Sequence, residues 1–325
     1  MANIKQIGIL TSGGDSPGMN ACIRAVVRTA IYNGIKVTGI IRGYAGLISG
    51  DMIEMDVGSV SNIILRGGTI LKTARSEEFK TKEGRAIAYK NIKKWEIDAL
   101  IVIGGDGTYR GASDFNREYG VPVIGIPGTI DNDIYGTDYT IGYDTAINIA
   151  LDAVDRIRDT AASHDRIFFI EVMGRNSGFI ALDVGIAGGA EAILIPETQT
   201  DVDKLCDTLV KGRKRGKHSS IVIVAEGDES GNSYEIAQKV KDRTGFDYRV
   251  TILGHIQRGG SPTARDRILA SKLGFSAVEF LIDGVSNVMI GEVNGKVIPT
   301  ELEMIWTNIK GIDTNLCRLA EILSI

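Results

Sequence analysis

Residues 127 to 133 read Pro-Gly-Thr-Ile-Asp-Asn-Asp, which sets two carboxylates, Asp131 and Asp133, on one short loop. A third, Asp106, follows the pair Gly104-Gly105 and could come near from a neighbouring strand end. Carboxylates gathered in one crevice repel unless a divalent cation sits among them. Magnesium, held by oxygen ligands and substrate phosphates, is the usual cation. For an isolated Asp-Asn-Asp, turn and cap propensity is the better account, so the reading depends on what surrounds the loop.

Two glycine-rich segments surround it in chemistry. Gly13 and Gly14 lie in TSGGDSPG, and Gly104, Gly105 and Gly107 lie in GGDGT, each segment carrying an aspartate, Asp15 or Asp106. Glycine lets the backbone approach a ligand closely, and a following helix N-terminus offers free N–H groups and a positive dipole to phosphate. Neither G-x-x-x-x-G-K-[ST] nor G-x-G-x-x-G occurs, so the P-loop and dinucleotide fingerprints are both missing. Two such loops point to a polyphosphate held without either fingerprint. Arg166, Arg175, Arg249 and Arg258, with His255, are placed by the sequence at further strand exits. Guanidinium forks suit phosphate oxygens, so the cluster reads as a sugar-phosphate pocket, although each arginine alone reads as a solvated surface group.

The elements that must position these groups are legible as apolar runs. IGIL at 7–10, ALIVIG at 99–104, VPVIGI at 121–126, IFFIEV at 167–172, AILIP at 192–196 and SIVIVAEG at 220–227 read as strands buried on both faces. Amphipathic segments at 20–32, 146–160, 202–213 and 263–281 fall between them. The alternation predicts an α/β fold of doubly wound, mainly parallel sheets. In such sheets ligands bind beyond the carboxyl ends of the strands, where the glycine and aspartate loops stand.

At 325 residues the chain is long enough for two domains, though no proline-rich or low-complexity linker marks a boundary. A net charge of −4 argues against a nucleic-acid partner, which normally needs a basic face. Cys22, Cys206 and Cys317 are too scattered for a zinc site or a disulfide framework and read as free thiols. The first ten residues lack a signal-peptide core, and no run approaches the ~20 apolar residues that span a bilayer. No membrane is expected, and a cytoplasmic location is.

The motifs LTSGGDSPGMN, VIGGDGT, PGTIDND, VMGRNSG and LGHIQRGGSP together resemble those of bacterial 6-phosphofructokinases, in order and separation. GGDGT alone is shared with NAD kinases, so PGTIDND and GHIQRGG carry the weight. The resemblance runs over essentially the whole chain. It implies ATP binding by Gly14, Tyr44, Arg75, Ser76, Gly105, Asp106, Gly107 and Thr108, with magnesium on Asp106. It implies fructose 6-phosphate binding by Thr129, Asp131, Met173, Gly174, Arg175, Glu226, His255 and Arg258, with Arg166 and Arg249 reaching in from a neighbouring subunit of a homotetramer. Asp131 would be the general base, with Asp133, Arg75, Arg175 and Thr129 as further catalytic groups. The implied domains are 1–142 plus 257–307 for ATP and 143–256 plus 308–325 for fructose 6-phosphate and effector.

Departures from the family's patterns refine this. Pyrophosphate-dependent relatives tend to carry Asp and Lys where this chain has Gly107 and Gly128, and a small residue at 107 leaves room for a nucleoside, so ATP is the expected donor. The alternatives are a pyrophosphate-dependent enzyme and a non-catalytic sensor that keeps the pocket. An ADP or phosphoenolpyruvate site is implied at Arg24, Arg28, Arg158, Gly189, Glu191, Arg215 and Lys217. Val57 and Asn62, however, stand where regulated relatives can carry Arg and Asp.

Overall fold

Uninterrupted apolar runs become central strands because helices cover both faces of the sheets. The structure is a computed structural model that describes residues 4–163, 166–229 and 231–324. The chain begins with β1 (Gln6–Thr11), α1 (Met19–Tyr32), β2 (Lys36–Ile40), α2 (Gly43–Ser49), β3 (Met52–Met55), α3 (Lys82–Lys94), β4 (Ala99–Gly104), α4 (Asp106–Tyr119) and β5 (Val123–Pro127). Next come α5 (Tyr143–Ala162), β6 (Ile167–Val172), α6 (Phe179–Ala187), β7 (Ala192–Leu194), α7 (Val202–Lys214), β8 (Ser220–Ala225), α8 (Ser233–Thr244) and β9 (Tyr248–Ile252). It closes with α9 (Ala264–Ile282), β10 (Val288–Val293), β11 (Lys296–Glu301), α10 (Leu302–Thr307) and α11 (Thr314–Leu323).

Two compact units result. The first comprises Met1–Ile130, Ile134–Thr145 and Arg258–Lys310, and the second Asp131–Asp133, Ala146–Gln257 and Gly311–Ile325. Among the described residues, the first unit holds a seven-stranded sheet in the order β11-β10-β5-β4-β1-β2-β3. Its centre is parallel, as in Ile9↔Ile101 and Ile101↔Ile124, and its two edge strands are antiparallel. Alternation sorts the side chains: Ile7, Ile9, Ile101 and Ile103 pack with α1 and α9, whereas Leu10, Leu100 and Val102 pack on the other face with Tyr109 and Phe115 of α4. Each fully buried Ile or Leu contributes about 1.5–3 kcal/mol.

The second unit holds a parallel four-stranded sheet in the order β7-β8-β6-β9. Phe169, Val222 and Val224 meet Leu205, Leu209, Ile236 and Val240 of α7 and α8. The runs at 99–104 and 167–172 are strands over those residues. The run at 121–126 starts later, at Val123, because Pro122 has no N–H for the ladder, although its carbonyl still accepts from Leu100 N at 2.9 Å. Among the described residues, no helix is long and apolar enough to cross a membrane.

Candidate functional site

In the first unit, the exits of β1, β4 and β5 come together. The register Ile103↔Thr11 and Gly104↔Pro127 puts 11–15, 104–108 and 127–129 side by side. Gly104 is required there, since a Cβ would overlap Ser12 O and Thr108 Oγ1. Thr108 Oγ1 donates to Ser12 O at 3.2 Å and Gly128 N to Gly104 O at 3.0 Å, which joins the loops. Gly105 precedes the first turn of α4, and Asp106, Gly107 and Thr108 lie within that turn; the start of a helix favours phosphate. Thr129 follows in the adjacent exit, its carbonyl accepting from Thr140 Oγ1 at 2.7 Å.

A second layer fixes this end of the sheet. Tyr44, buried in α2, stacks on Phe79 with ring centroids 3.9 Å apart and donates its hydroxyl to Thr108 O at 2.6 Å. Burial raises the Tyr44 pKa, so the group stays a donor. Phe79 is fixed from behind by Arg85, whose Nη1 donates to the carbonyls of Phe79 (3.0 Å) and Lys80 (2.8 Å). The same guanidinium makes a bidentate pair with Glu118, both contacts at 2.7 Å. Arg75 and Ser76 lie between anchors: Thr73 Oγ1 donates to Gly13 O at 2.7 Å, and Ser76 Oγ accepts from Phe79 N at 3.2 Å. Arg258 Nη1 donates to Asp15 O at 3.1 Å, and a Cβ on Gly14 would sit 2.8 Å from that same nitrogen. Arg85, Glu118 and Phe79 escaped sequence reading because their partners are long-range.

In the second unit, Asp131 is buried at 1% exposure. Arg175 Nε stands 3.5 Å from its Oδ2. Arg175 has φ +53°, left-handed for a residue with a side chain, and follows Gly174 at φ +148°. This strained turn is held by Glu226, whose Oε1 accepts from Arg175 N at 2.7 Å. Ser177 Oγ, missed in the sequence, bridges Gly174 O (2.9 Å) and Asp131 O (3.2 Å), tying the two loops together. Asn132 takes φ +55° between Asp131 and Asp133, a conformation asparagine tolerates. Met173 heads the turn, and His255 is exposed in the segment after β9.

One expectation is corrected. Arg166 and Arg249 are not at strand exits. Arg166 immediately precedes β6, Arg249 is the second residue of β9, and Phe168↔Arg249 pairing places both at the starting ends of these parallel strands. The apolar run at 167–172 was read correctly, but the arginine before it enters the strand instead of leaving it. Arg175 departs from the opposite end of β6. Among the described residues, no group of three or more His, Cys, Asp or Glu is placed to hold a metal ion. Asp106 at a helix start still fits a magnesium ion shared with substrate phosphates, which needs only one or two carboxylates.

Of the effector candidates, Glu191 is buried and pairs with Lys217. Arg158 donates to the carbonyls of Gly188 and Gly189, the latter at 2.9 Å. Arg215 is the C-cap of α7, and Arg24 and Arg28 belong to α1 in the first unit. A cavity of about 470 Å³ in the second unit, between β7, α7 and α11, takes in Glu191 but none of the other candidates.

A family model, Phosphofructokinase, matches residues 6–281. The ATP-dependent 6-phosphofructokinase 1 of Thermus thermophilus is 58% identical over 322 residues, 99% of this chain and 100% of that protein. The ATP-dependent 6-phosphofructokinase 2 of Bacteroides thetaiotaomicron is 56% identical over 100% of both. Among solved structures, phosphofructokinase from Saccharomyces cerevisiae superposes with a TM-score of 0.91 at 37% identity, covering 99% of this chain, which spans about half (48%) of that longer one. A pyrophosphate-dependent phosphofructokinase from Marinobacter aquaeolei, at 24% identity and a TM-score of 0.85, shares the fold. By a match that runs through every glycine and aspartate loop described above, the chain belongs to the phosphofructokinase family.

Proposed function

We propose that this chain transfers the γ-phosphoryl group of ATP to the 1-hydroxyl of D-fructose 6-phosphate, giving fructose 1,6-bisphosphate and ADP. The observation that carries the reading is the buried Asp131 carboxylate held beside the Arg175 guanidinium on a pre-shaped turn. Asp131 takes the proton of the attacking hydroxyl. Arg175 and Arg75 offset charge on the transferring oxygens, while Thr129 and Asp133 shape the loop around the base. The N–H groups of 105–108, at the start of α4, bind the phosphates of the donor, with Gly14, Tyr44 and Ser76 on the same side. Magnesium, held by Asp106 and phosphate oxygens, would neutralise charge between donor and transferring group.

On the acceptor side, Met173, Gly174, Glu226, His255 and Arg258 bind the sugar phosphate. Arg166 and Arg249, at the far ends of β6 and β9, serve a neighbouring subunit's pocket in a homotetramer. The first unit is the ATP-binding domain and the second the fructose 6-phosphate domain, and Arg24, Arg28, Arg158, Gly189, Glu191, Arg215 and Lys217 serve an ADP or phosphoenolpyruvate effector. The enzyme works in the cytoplasm, in glycolysis. ATP is preferred to pyrophosphate because no atom lies within 4 Å of a Cβ built on Gly107, which leaves the nucleoside room. A coupled assay of ADP release with fructose 6-phosphate, run beside pyrophosphate as donor and at two phosphoenolpyruvate levels, tests all of this. Faster turnover with pyrophosphate, or none with either donor, would refute it.

A further inference from the structure

Where the β6–β9 ladder ends, a side chain continues it. Leu253 N donates to Glu171 O at 3.0 Å, and on the opposite side Glu226 N donates to Val172 O at 3.0 Å. In a parallel ladder the next rung would take Met173 N–H to a backbone carbonyl beyond β9. The chain has instead turned away at Gly254, with φ +53°. Met173 N donates to Oε1 of Gln257 at 2.8 Å. Gln257 is fully buried, and its Nε2 has no hydrogen-bond partner among the described residues.

A buried amide with an unmet donor is unfavourable, and a leucine would fill the same space without it. The bond to Met173 is therefore what the amide contributes. That bond orients the peptide leading into Gly174 and Arg175, the two positive-φ residues of the turn, of which Arg175 carries the strain. Glu226 holds the turn one rung later, at Arg175 N. We propose that Gln257 is a positioning residue of the acceptor pocket: it substitutes for the missing β-rung and sets the Met173 peptide from which Arg175 is aimed at Asp131. This rests on the reading of Arg175 and Asp131 as acceptor-side groups.

The test compares wild type with Gln257→Leu and Gln257→Glu by melting temperature, amide hydrogen exchange over 172–178, and kinetics with each substrate varied. Gln257→Leu is expected to speed exchange at 173–177 while β6 stays protected. It should raise the KM for fructose 6-phosphate about tenfold or more and leave the KM for ATP within about twofold. Gln257→Glu, which keeps an oxygen for Met173 N–H, should recover most of both. An unchanged acceptor KM in Gln257→Leu, or a parallel rise of both KM values in both variants, overturns the proposal. So does rapid exchange of the Met173 amide in the wild-type protein, a reading that needs no variant to fold. Absence of any turnover with fructose 6-phosphate in wild type would remove the acceptor reading while the exchange result still stands, so the two failures are told apart.

Discussion

Arg175 reaches Asp131 with Nε 3.5 Å from Oδ2, a guanidinium half in solvent beside a carboxylate that is almost wholly buried. The asymmetry fits the roles proposed for the two groups. The buried partner is fixed in place by its loop, and the exposed partner keeps donors available for an incoming anion. For a phosphoryl transfer that depends on positioning and charge, this is a suitable division.

Replacing the base is the most direct check. Asp131→Asn keeps the size of the side chain and removes its capacity to take a proton, so kcat is expected to fall by ~10²-fold or more while substrate binding is largely kept. Steady-state kinetics with direct binding of fructose 6-phosphate reads this. Near wild-type turnover would exclude Asp131 as the base.

Donor choice can be tested with a contrasting pair. Gly107→Asp meets open space, so it should fold normally and raise the KM for ATP by about tenfold or more through repulsion of the phosphates. Gly128→Lys does not have that freedom, because its Cβ would lie 2.8 Å from Ile103 Cγ2 and 3.1 Å from Met19 Cε. It should lower the melting temperature. If Gly107→Asp leaves the ATP kinetics untouched, position 107 does not face the donor.

Behind the nucleotide loop, the Arg85–Glu118 pair should matter for both stability and donor affinity. Arg85 hydrogen bonding holds Glu118 below its ordinary pKa. A depressed folded-state value means that the stabilisation is present above the unfolded pKa and is lost as pH falls through the lowered one. Arg85→Met should cost about 1–2 kcal/mol and raise the KM for ATP without changing that for fructose 6-phosphate. Thermal melts across the acid range, with kinetics at neutral pH, check both parts.

Asp266 should behave in the opposite sense. Burial raises its pKa, against the lowering effect of donors from Thr145 and Gly142. A raised folded-state value gives a contribution that is complete below the unfolded pKa and is lost as pH rises through the raised one. Asp266→Asn does not titrate, so the stability advantage of wild type should be largest in acid and narrow toward neutral pH. A gap that widens with pH in denaturant titrations would contradict this.

Legibility followed the physics of each element. β4 was readable because a strand covered on both faces is apolar at every position, and β6 because only Glu171 interrupts its apolar run. β9 is an edge strand with Arg249 in it and has no such run. The β10–β11 hairpin did carry a signal that went unread: Asn294-Gly295 between alternating residues, both at positive φ. Asp131, Asp106 and Arg175 stood out because their chemistry is written in local loops. Gln257, Ser177 and Arg85 did not, since each acts on backbone atoms that only the folded chain brings to it. Arg166 stands before the run at 167–172 and so at its starting end in the sequence already, whereas Arg249 was misplaced because the edge strand β9 has no apolar run to show where it begins.

The division into interleaved segments constrains biosynthesis. The seven-stranded sheet takes its last two strands, β10 and β11, from residues 288–301. A nascent chain that has emerged only through β9 already carries every strand of the second sheet, yet its first sheet ends at β5 with an open hydrogen-bonding edge. Such an edge can template pairing between chains. The ribosome must therefore deliver residues 288–301, in the last quarter of the polypeptide, before the β5 edge of the first sheet is covered.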